Sequence, residues 1–171
     1  GLRTQVIFTS PDEELVKSLE SALPENCRIR QSSYQEMDYY IHGAQQGSNP
    51  MLDHMRDLGL HGKYSHEKFI PQLYMDASMS QRLSLLQGLM DTDGTVDGHS
   101  MLSYTTTSDT LAEQVQYLVR SLGGIAKITT KTPTYTHNGE VKTGRLAYNV
   151  NIRHPKPSEL FRLRDTLMCY S

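Results

Sequence analysis

The chain has 171 residues and a mass of 19.4 kDa, and its hydrophobic fraction of 37% together with 12 glycines is close to the globular average, which excludes disorder over most of its length. No apolar run reaches the roughly 18 residues of a membrane span, and the first residues lack a signal-peptide pattern, so we expect a soluble, cytoplasmic protein with no membrane partner. The two cysteines, Cys27 and Cys169, are far apart and indicate neither a disulfide framework nor a zinc site.

A strand, a polar turn and a helix occur twice, at an offset of 96 residues. The triplet Phe8-Thr9-Ser10 lies over Tyr104-Thr105-Thr106. Apolar residues then follow at helical spacing in both copies. They are Leu15, Val16, Leu19, Ala22 and Leu23 in the first copy and Leu111, Ala112, Val115, Leu118 and Val119 in the second. The pattern predicts two related halves, and the alternative is a chance likeness between two strand-plus-helix units.

The stretch between the copies is less regular. Residues 27–42 predict one or two strands, and Asn49 with Pro50 predicts the start of a helix. Ser78 to Gln81 has the form of a capping box and predicts a second helix that ends at Asp93, before Gly94.

The segment after the second copy predicts an antiparallel ribbon. A strand presents Lys127, Thr129 and Lys131 on one face, and Asn138-Gly139 is a hairpin turn signal. The returning strand has one polar face and one apolar face. The polar face consists of Arg145, Ala147, Asn149, Asn151 and Arg153. We expect Ser158 to cap a short final helix.

Charge is distributed unevenly along the chain. Residues 1–122 hold 9 basic and 16 acidic side chains, whereas residues 123–171 hold 8 basic and 3 acidic ones, within a net charge of −2. A ribbon face of Lys, Arg, Asn and Thr suits a DNA groove. The alternative is an ordinary solvated sheet face.

Two acidic residues stand where a helix normally carries basic ones. Asp91 and Asp93 occupy the last turn of the second predicted helix, where the negative end of the helix dipole disfavours carboxylates. A bound divalent cation would remove that penalty. Alternatively, the two aspartates cap neighbouring backbone amides.

Two blocks of sequence, residues 86–94 (LQGLMDTDG) and 66–71 (HEKFIP), occur in one chain. The first resembles the signature nonapeptide of the LAGLIDADG, or dodecapeptide (DOD-type), homing endonucleases, in particular those embedded in inteins. The second resembles a Lys-x-Ile-Pro block of the same domains. The resemblance implies an α+β, pseudo-twofold fold with antiparallel DNA-binding sheets and helices packed on one side.

The resemblance also implies roles for individual residues. Asp93 would be catalytic and bind Mg²⁺, and Lys68 would be catalytic by stabilising negative charge or activating water. Ser84 and Gly88 would allow a second signature helix to approach closely, with Asp91 capping and orienting at that interface. The expected DNA contacts are Lys127, Lys131, Arg145, Asn149, Asn151 and Arg153.

The chain departs from the family pattern in three ways. It shows one signature helix, and the 96-residue offset puts the aspartate of the other just upstream of Gly1. We therefore expect residues 1–78 to be an incomplete repeat and residues 79–171 a complete one. Gln87 stands where the name motif has Ala, and neither Arg162 nor Arg164 is assigned as the second basic catalytic residue.

These observations favour a site-specific, Mg²⁺-dependent endonuclease domain that acts on double-stranded DNA, embedded in an intein and its host precursor. A homodimer is expected only if the chain functions without its first signature helix. One alternative is a catalytically inactive DNA-binding remnant or regulator of the same fold. Another is a calcium-binding or protein-interaction domain with no nucleic-acid partner.

Overall fold

A computed structural model describes residues 5–96, 101–137 and 139–162. The chain divides into two compact units, residues 1–62 and 63–171. Cys169 and Arg164, both named above, lie outside the described residues. Among the helices in those three ranges, none has the length and apolar character needed to cross a membrane.

The first unit is a three-stranded antiparallel sheet with two helices. Its elements are β1 (Val6–Thr9), α1 (Glu13–Ala22), β2 (Cys27–Gln31), β3 (Asp38–Gly43) and α2 (Pro50–Asp57). The strand order is β1-β3-β2, so residues 27–42 contain two strands rather than one. Helix α2 begins as predicted, because the Asn49 side chain accepts a hydrogen bond from the Leu52 backbone N–H and Pro50 occupies the first turn.

The second unit holds a four-stranded antiparallel sheet in the order β4-β5-β9-β6, and a separate pair of strands, β7-β8. Its helices are α3 (Gln72–Met75), α4 (Met79–Asp93) and α5 (Asp109–Ser121), with 3₁₀ turns at Ser65–Glu67 and Pro157–Leu160. Its strands are β4 (Gly94–Val96), β5 (Leu102–Thr106), β6 (Ile125–Lys131), β7 (Thr134–His137), β8 (Glu140–Thr143) and β9 (Ala147–Arg153).

The core of the second unit lies between one face of this sheet and helices α4 and α5. Leu86 and Met90 of α4 and Val115 of α5 are buried there. The sheet contributes the side chains that alternate toward the helices, since successive strand residues point to opposite faces. These are Leu102, Tyr104, Ala126, Val150 and Ile152. The opposite face of the sheet is left for polar side chains.

The predicted repeat is present in the hydrogen bonding as well as in the strand order. Ser10 Oγ accepts from the Asp12 N–H at 3.1 Å, and Asp12 caps α1. Ninety-six residues later, Thr106 Oγ1 accepts from the Ser108 N–H at 3.1 Å, and Ser108 caps α5. The orders β1-β3-β2 and β5-β9-β6 match in the same way. The two units therefore share one local design.

The boundary between the two compact units falls after residue 62. The expected division into an incomplete repeat, residues 1–78, and a complete one, residues 79–171, stays a prediction. Ile70 and Met75 belong to the core of the second unit. The Gln114 side chain on α5 also bonds the backbone of Ile70. Residues 63–78 are therefore a part of the second unit that the repeat offset did not reveal.

Three expectations need correction. Gly139 lies at a hairpin turn with a φ of 81°, as predicted, but the turn joins β7 to β8 and not β6 to β9. Pro133 has no N–H for a sheet ladder and separates β6 from β7. Arg145 consequently precedes β9, which begins at Ala147. The final turn is a 3₁₀ helix that starts at Pro157, so Ser158 is not its cap.

Two glycines of the α4 region should respond to alanine in opposite ways. A Cβ on Gly94 would collide with the Met90 carbonyl oxygen and lie 2.7 Å from Met90 Cε, whereas a Cβ on Gly88 would meet nothing within 4 Å. We expect Gly94→Ala to cost about 1–3 kcal/mol of unfolding free energy. Gly88→Ala should instead stabilise the chain by about 0.5–1 kcal/mol. Urea denaturation of both variants tests this, and equal effects would contradict it.

Candidate active site

Helix α4 carries the signature sequence and ends at Asp93. Its start is fixed by a capping box in which Ser78 and Gln81 satisfy each other's backbone N–H groups. Its end is fixed by Gly94, whose N–H donates to the Met90 carbonyl and which begins β4. Asp93 is exposed, and no basic residue occupies the last turn of α4. The negative end of the helix dipole is therefore left without a basic side chain from that turn.

The carboxylate of Asp93 acts on a buried neighbour. Tyr104 of β5 is 2% exposed and is paired with Gly94 across the β4–β5 ladder. Burial, reinforced by the negative charge of Asp93, raises the pKa of the Tyr104 hydroxyl. The Tyr104 hydroxyl is therefore even harder to ionise than that of an exposed tyrosine.

Ser84 and Gly88 lie on an exposed face of α4. They are one turn apart, as the expected helix interface requires. The open space beside Gly88 leaves room for a close neighbour. The structure thus places both residues where a packed helix could meet them.

Asp91 anchors the C-terminal part of the described chain. Its Oδ1 accepts from the Arg162 backbone N–H at 3.0 Å. Gln87, one turn earlier, accepts from Arg162 Nε at 2.8 Å and donates to the Glu159 carbonyl at 2.7 Å. These bonds fasten residues 157–162 to α4, next to the buried Leu160. The Gln that replaces Ala of the name motif has a structural partner of its own.

Lys68 lies between the 3₁₀ turn Ser65–Glu67 and α3, which packs against α4. Its side chain is exposed, and its backbone carbonyl accepts from Ser108 Oγ at 2.6 Å. Glu67, beside it, accepts from the Tyr64 N–H, which together with nearby basic groups holds the pKa of that carboxyl below its usual value. Among the described residues, Lys68 forms no salt bridge.

The outer face of the four-stranded sheet carries a connected chain of polar side chains. Thr105 Oγ1 donates to Asn149 Oδ1 at 3.1 Å, Asn149 Nδ2 donates to Asn151 Oδ1 at 3.2 Å, and Asn151 Nδ2 donates to Thr129 Oγ1 at 3.1 Å. The chain of bonds crosses strands β5, β9 and β6. We call the outer faces of these three strands the polar sheet face.

Basic side chains flank this network. Lys127 and Lys131 of β6 are exposed and share the face of Thr129, because they alternate with the core-facing Ala126. Arg153, at the end of β9, is also exposed. Arg145 lies outside the strands, and its charge reaches Glu67. Five of the six expected DNA contacts thus lie on the polar sheet face. The sixth, Arg145, lies within electrostatic range of Glu67, the neighbour of Lys68.

The residues at the end of α4 fit a divalent cation only in part. Within residues 5–96, 101–137 and 139–162, no group of three or more His, Cys, Asp or Glu side chains could enclose a metal ion. An exposed carboxylate without a basic partner in its helical turn suits Mg²⁺, which binds through one or two carboxylates, water and substrate phosphates. Asp93 therefore fits a site that is completed by ligands from outside the described residues.

Comparison with known proteins agrees with this architecture. Residues 80–153 match the LAGLIDADG-like domain. Two solved structures of the homing endonuclease I-DmoI are similar in fold. Its complex with DNA and Ca has a TM-score of 0.58 at 14% identity over 97% of this chain and 82% of that one. A set of mesophilic variants gives 0.56 at 16% identity over 91% and 76%.

Sequence relatives are longer proteins. The replicative DNA helicase DnaB of Mycobacterium intracellulare is 33% identical over 102 residues, which are 60% of this chain and 16% of the relative. Protein RecA of Mycobacterium tuberculosis is 29% identical over 115 residues, which are 61% of this chain and 15% of the relative. The chain thus spans about a sixth of the length of the curated relatives it matches.

These findings identify the fold. Residues 80–153 match the LAGLIDADG-like domain, and the chain has an α+β fold similar to that of the homing endonuclease I-DmoI. The matched segment contains α4 from its second residue onward, the polar sheet face and α5, while Lys68 precedes it.

Three residues of this region were not anticipated as part of the site. Ser108 could have been found from the repeat, because it occupies the position of Asp12 in the first copy. Gln87 and Gln114 carry no such signal, since glutamine side chains reach partners that are distant in sequence. Their contacts are visible only once the helices are packed.

Loss of Gln87 should loosen the C-terminal segment without unfolding α4. In Gln87→Ala, two of the three described hydrogen bonds between α4 and residues 159–162 are removed, each worth about 0.5–1.5 kcal/mol. We expect faster amide hydrogen exchange at Arg162. Ser84→Ala, on the exposed face of the same helix, is the control and should leave that exchange unchanged. Equal exchange rates in both variants would refute the anchoring role.

Proposed function

We propose that this chain is the DNA-recognition and cleavage module of a homing endonuclease that hydrolyses phosphodiester bonds in a long double-stranded target with Mg²⁺. The observation that carries the proposal is the exposed Asp93 carboxylate at the end of α4, inside a LAGLIDADG-like domain whose sheet bears a polar outer face. I-DmoI, which shares the fold, is a homing endonuclease seen with DNA and with Ca, Mn or Mg.

Each group has a role in this proposal. Asp93 would hold a divalent ion, whose chemistry when bound would be to polarise the substrate phosphate and to lower the pKa of a hydrolytic water. Lys68 places an ammonium near the phosphate, where it stabilises the negative charge that develops during attack.

The polar sheet face supplies the DNA contacts in this proposal. Lys127, Lys131 and Arg153 neutralise backbone phosphates, a contact that carries most of the affinity but no sequence information. Asn149 and Asn151 present amides able to read base edges. Their mutual hydrogen bonds order these amides before DNA arrives, which reduces the conformational entropy lost on binding.

The variant Asp93→Asn tests the catalytic part. It removes one negative charge and keeps the size of the side chain, so we expect cleavage to be abolished while affinity for DNA selected in Ca²⁺ changes little. The assay needs the protein in its full-length context. Asp53→Asn in α2 is the matched control, because that carboxylate pairs with Arg56 in the first unit. Cleavage by Asp93→Asn at the rate of the unmodified protein would contradict the proposal.

Salt dependence tests the DNA surface. We expect the double variant Lys127→Ala and Lys131→Ala to weaken binding to all sequences and to reduce the slope of log affinity against log salt by about 2. Lys17→Ala is the control, because that lysine lies on α1 and pairs with Glu13. An unchanged slope in the double variant would exclude phosphate contacts by β6.

The genetic context is proposed to be an intein within a host precursor, in the cytoplasm. The support is that stretches covering similar shares of this chain match two differently named proteins, each over only 15–16% of the relative's length. That pattern is typical of a module carried by different hosts.

We propose that a second signature helix, from another segment or from a second copy of the chain, packs on the Ser84 and Gly88 face. The upstream coding sequence tests this: it should encode a helix ending in an acidic residue and glycine.

A second candidate is a DNA-binding protein of the same fold that does not cut. It is favoured by one observation, that the described residues supply one signature carboxylate and no enclosed metal site. Mg²⁺ distinguishes the candidates: specific binding without cleavage in the full-length context supports the second, and specific cleavage supports the first.

A further inference from the structure

The backbone that carries Lys68 is held by side chains of a single helix. Ser108 and Gln114 both belong to the α5 region, and they contact residues 68 and 70 across 40 and 44 positions of sequence. Lys68 has no secondary structure of its own, because the 3₁₀ turn ends at Glu67 and α3 begins at Gln72. Its position therefore depends on these contacts.

Ser108 makes two bonds at once. Its hydroxyl donates to the Lys68 carbonyl at 2.6 Å and accepts from the Leu111 N–H at 3.1 Å, as the N-cap of α5. The side chain is 1% exposed, so neither bond competes with bulk water. In the first unit the equivalent cap is Asp12, whose side chain accepts from the Glu14 and Leu15 N–H groups. The Ser108 hydroxyl thus caps its helix as Asp12 does and, in addition, donates a hydrogen bond to the Lys68 carbonyl.

Gln114 closes the other end of the segment. Its Oε1 accepts from the Ile70 N–H at 2.7 Å, and its Nε2 donates to the Ile70 carbonyl at 2.8 Å. One amide side chain thus satisfies both backbone groups of a buried residue, as a neighbouring strand would. Together with Ser108 it supplies three hydrogen bonds to a stretch of three residues.

We propose that Ser108 and Gln114 are positioning residues that fix the backbone of residues 68–70 and thereby aim the Lys68 ammonium at the reacting phosphate. The proposal rests on the function proposed above for Lys68. Its consequence is that part of the catalytic geometry is set from α5, a helix that carries no signature residue. A misplacement of about 1 Å can cost as much as 100-fold in rate, so three short bonds are enough to matter.

A double-mutant cycle separates positioning from simple stability. We expect Gln114→Ala to lower the single-turnover cleavage rate by about 10- to 100-fold while affinity for DNA in Ca²⁺ is kept. In the Lys68→Met background the same substitution should lower the rate no further. A drop by the same factor in both backgrounds, or no drop in the unmodified protein, would overturn the proposal.

Two further variants complete the cleavage test. Ser108→Ala should behave like Gln114→Ala, and Ser108→Thr, which retains the hydroxyl, should restore most of the rate. Gln116→Ala is the matched control. Gln116 is a half-buried glutamine of the same helix, and it donates to the Ala126 carbonyl, which Arg120 also bonds. Its substitution should leave the rate unchanged, and an equal loss would assign the effect to α5 stability.

A measurement without DNA keeps this proposal distinct from the proposed function. In Gln114→Ala, the rate of amide hydrogen exchange at Ile70 should rise by about fivefold, the equivalent of roughly 1 kcal/mol for one hydrogen bond. Nuclear spin relaxation of the Lys68 Cε should also report a more mobile side chain. Gln116→Ala should change neither. If the unmodified full-length protein cuts no DNA but these changes occur, the proposed function fails, and with it the aiming of Lys68 at a phosphate, while the fixing of residues 68–70 by Gln114 stands. If neither changes, the positioning is refuted whatever the protein cuts.

Discussion

The junction between α4 and β4 is the constraint on which the rest of the site depends. The helix passes into the strand with no intervening residue, and Gly94 lies so close to the Met90 carbonyl that a Cβ there would force the surrounding atoms to shift. Met90 is itself buried in the core. Asp93 is therefore fixed as the last helical residue, at the negative end of the helix dipole and within electrostatic reach of the buried Tyr104.

The same junction relates the carboxylate to the surface that would bind DNA. Because β4 leaves α4 at Gly94 and pairs with β5, the end of the helix meets the edge of the sheet whose outer side is the polar sheet face. The core side of that sheet is occupied by α4 and α5. One layer of strands thus separates a packed apolar interior from a network of hydroxyls and amides. The Asp93 carboxylate lies next to the edge strand of that layer, β4.

Much of this could be predicted from sequence, for local reasons. The capping box at Ser78, the glycine after Asp93 and the alternation along β9 are signals between near neighbours. The 96-residue repeat, which the matching triplets and apolar stripes indicate, extends these signals over long range, and the caps Asp12 and Ser108 occupy equivalent positions at the two helix starts.

What escaped prediction depends on packing between distant residues. The apolar stripe is equally regular in both copies, yet all five of its positions are buried in α5 and only Val16 is buried in α1. The segment 63–78 is joined to the second unit through Gln114, which no pattern marks.

The central claim is that Asp93, at the end of α4, is a metal-binding residue. Its most direct test is a Mn²⁺ titration of the isotope-labelled chain, bound to DNA that it selects, followed by nuclear magnetic resonance. The account predicts paramagnetic broadening centred on Asp93 and Gly94 that disappears in Asp93→Asn, and broadening centred elsewhere, or none, would contradict it.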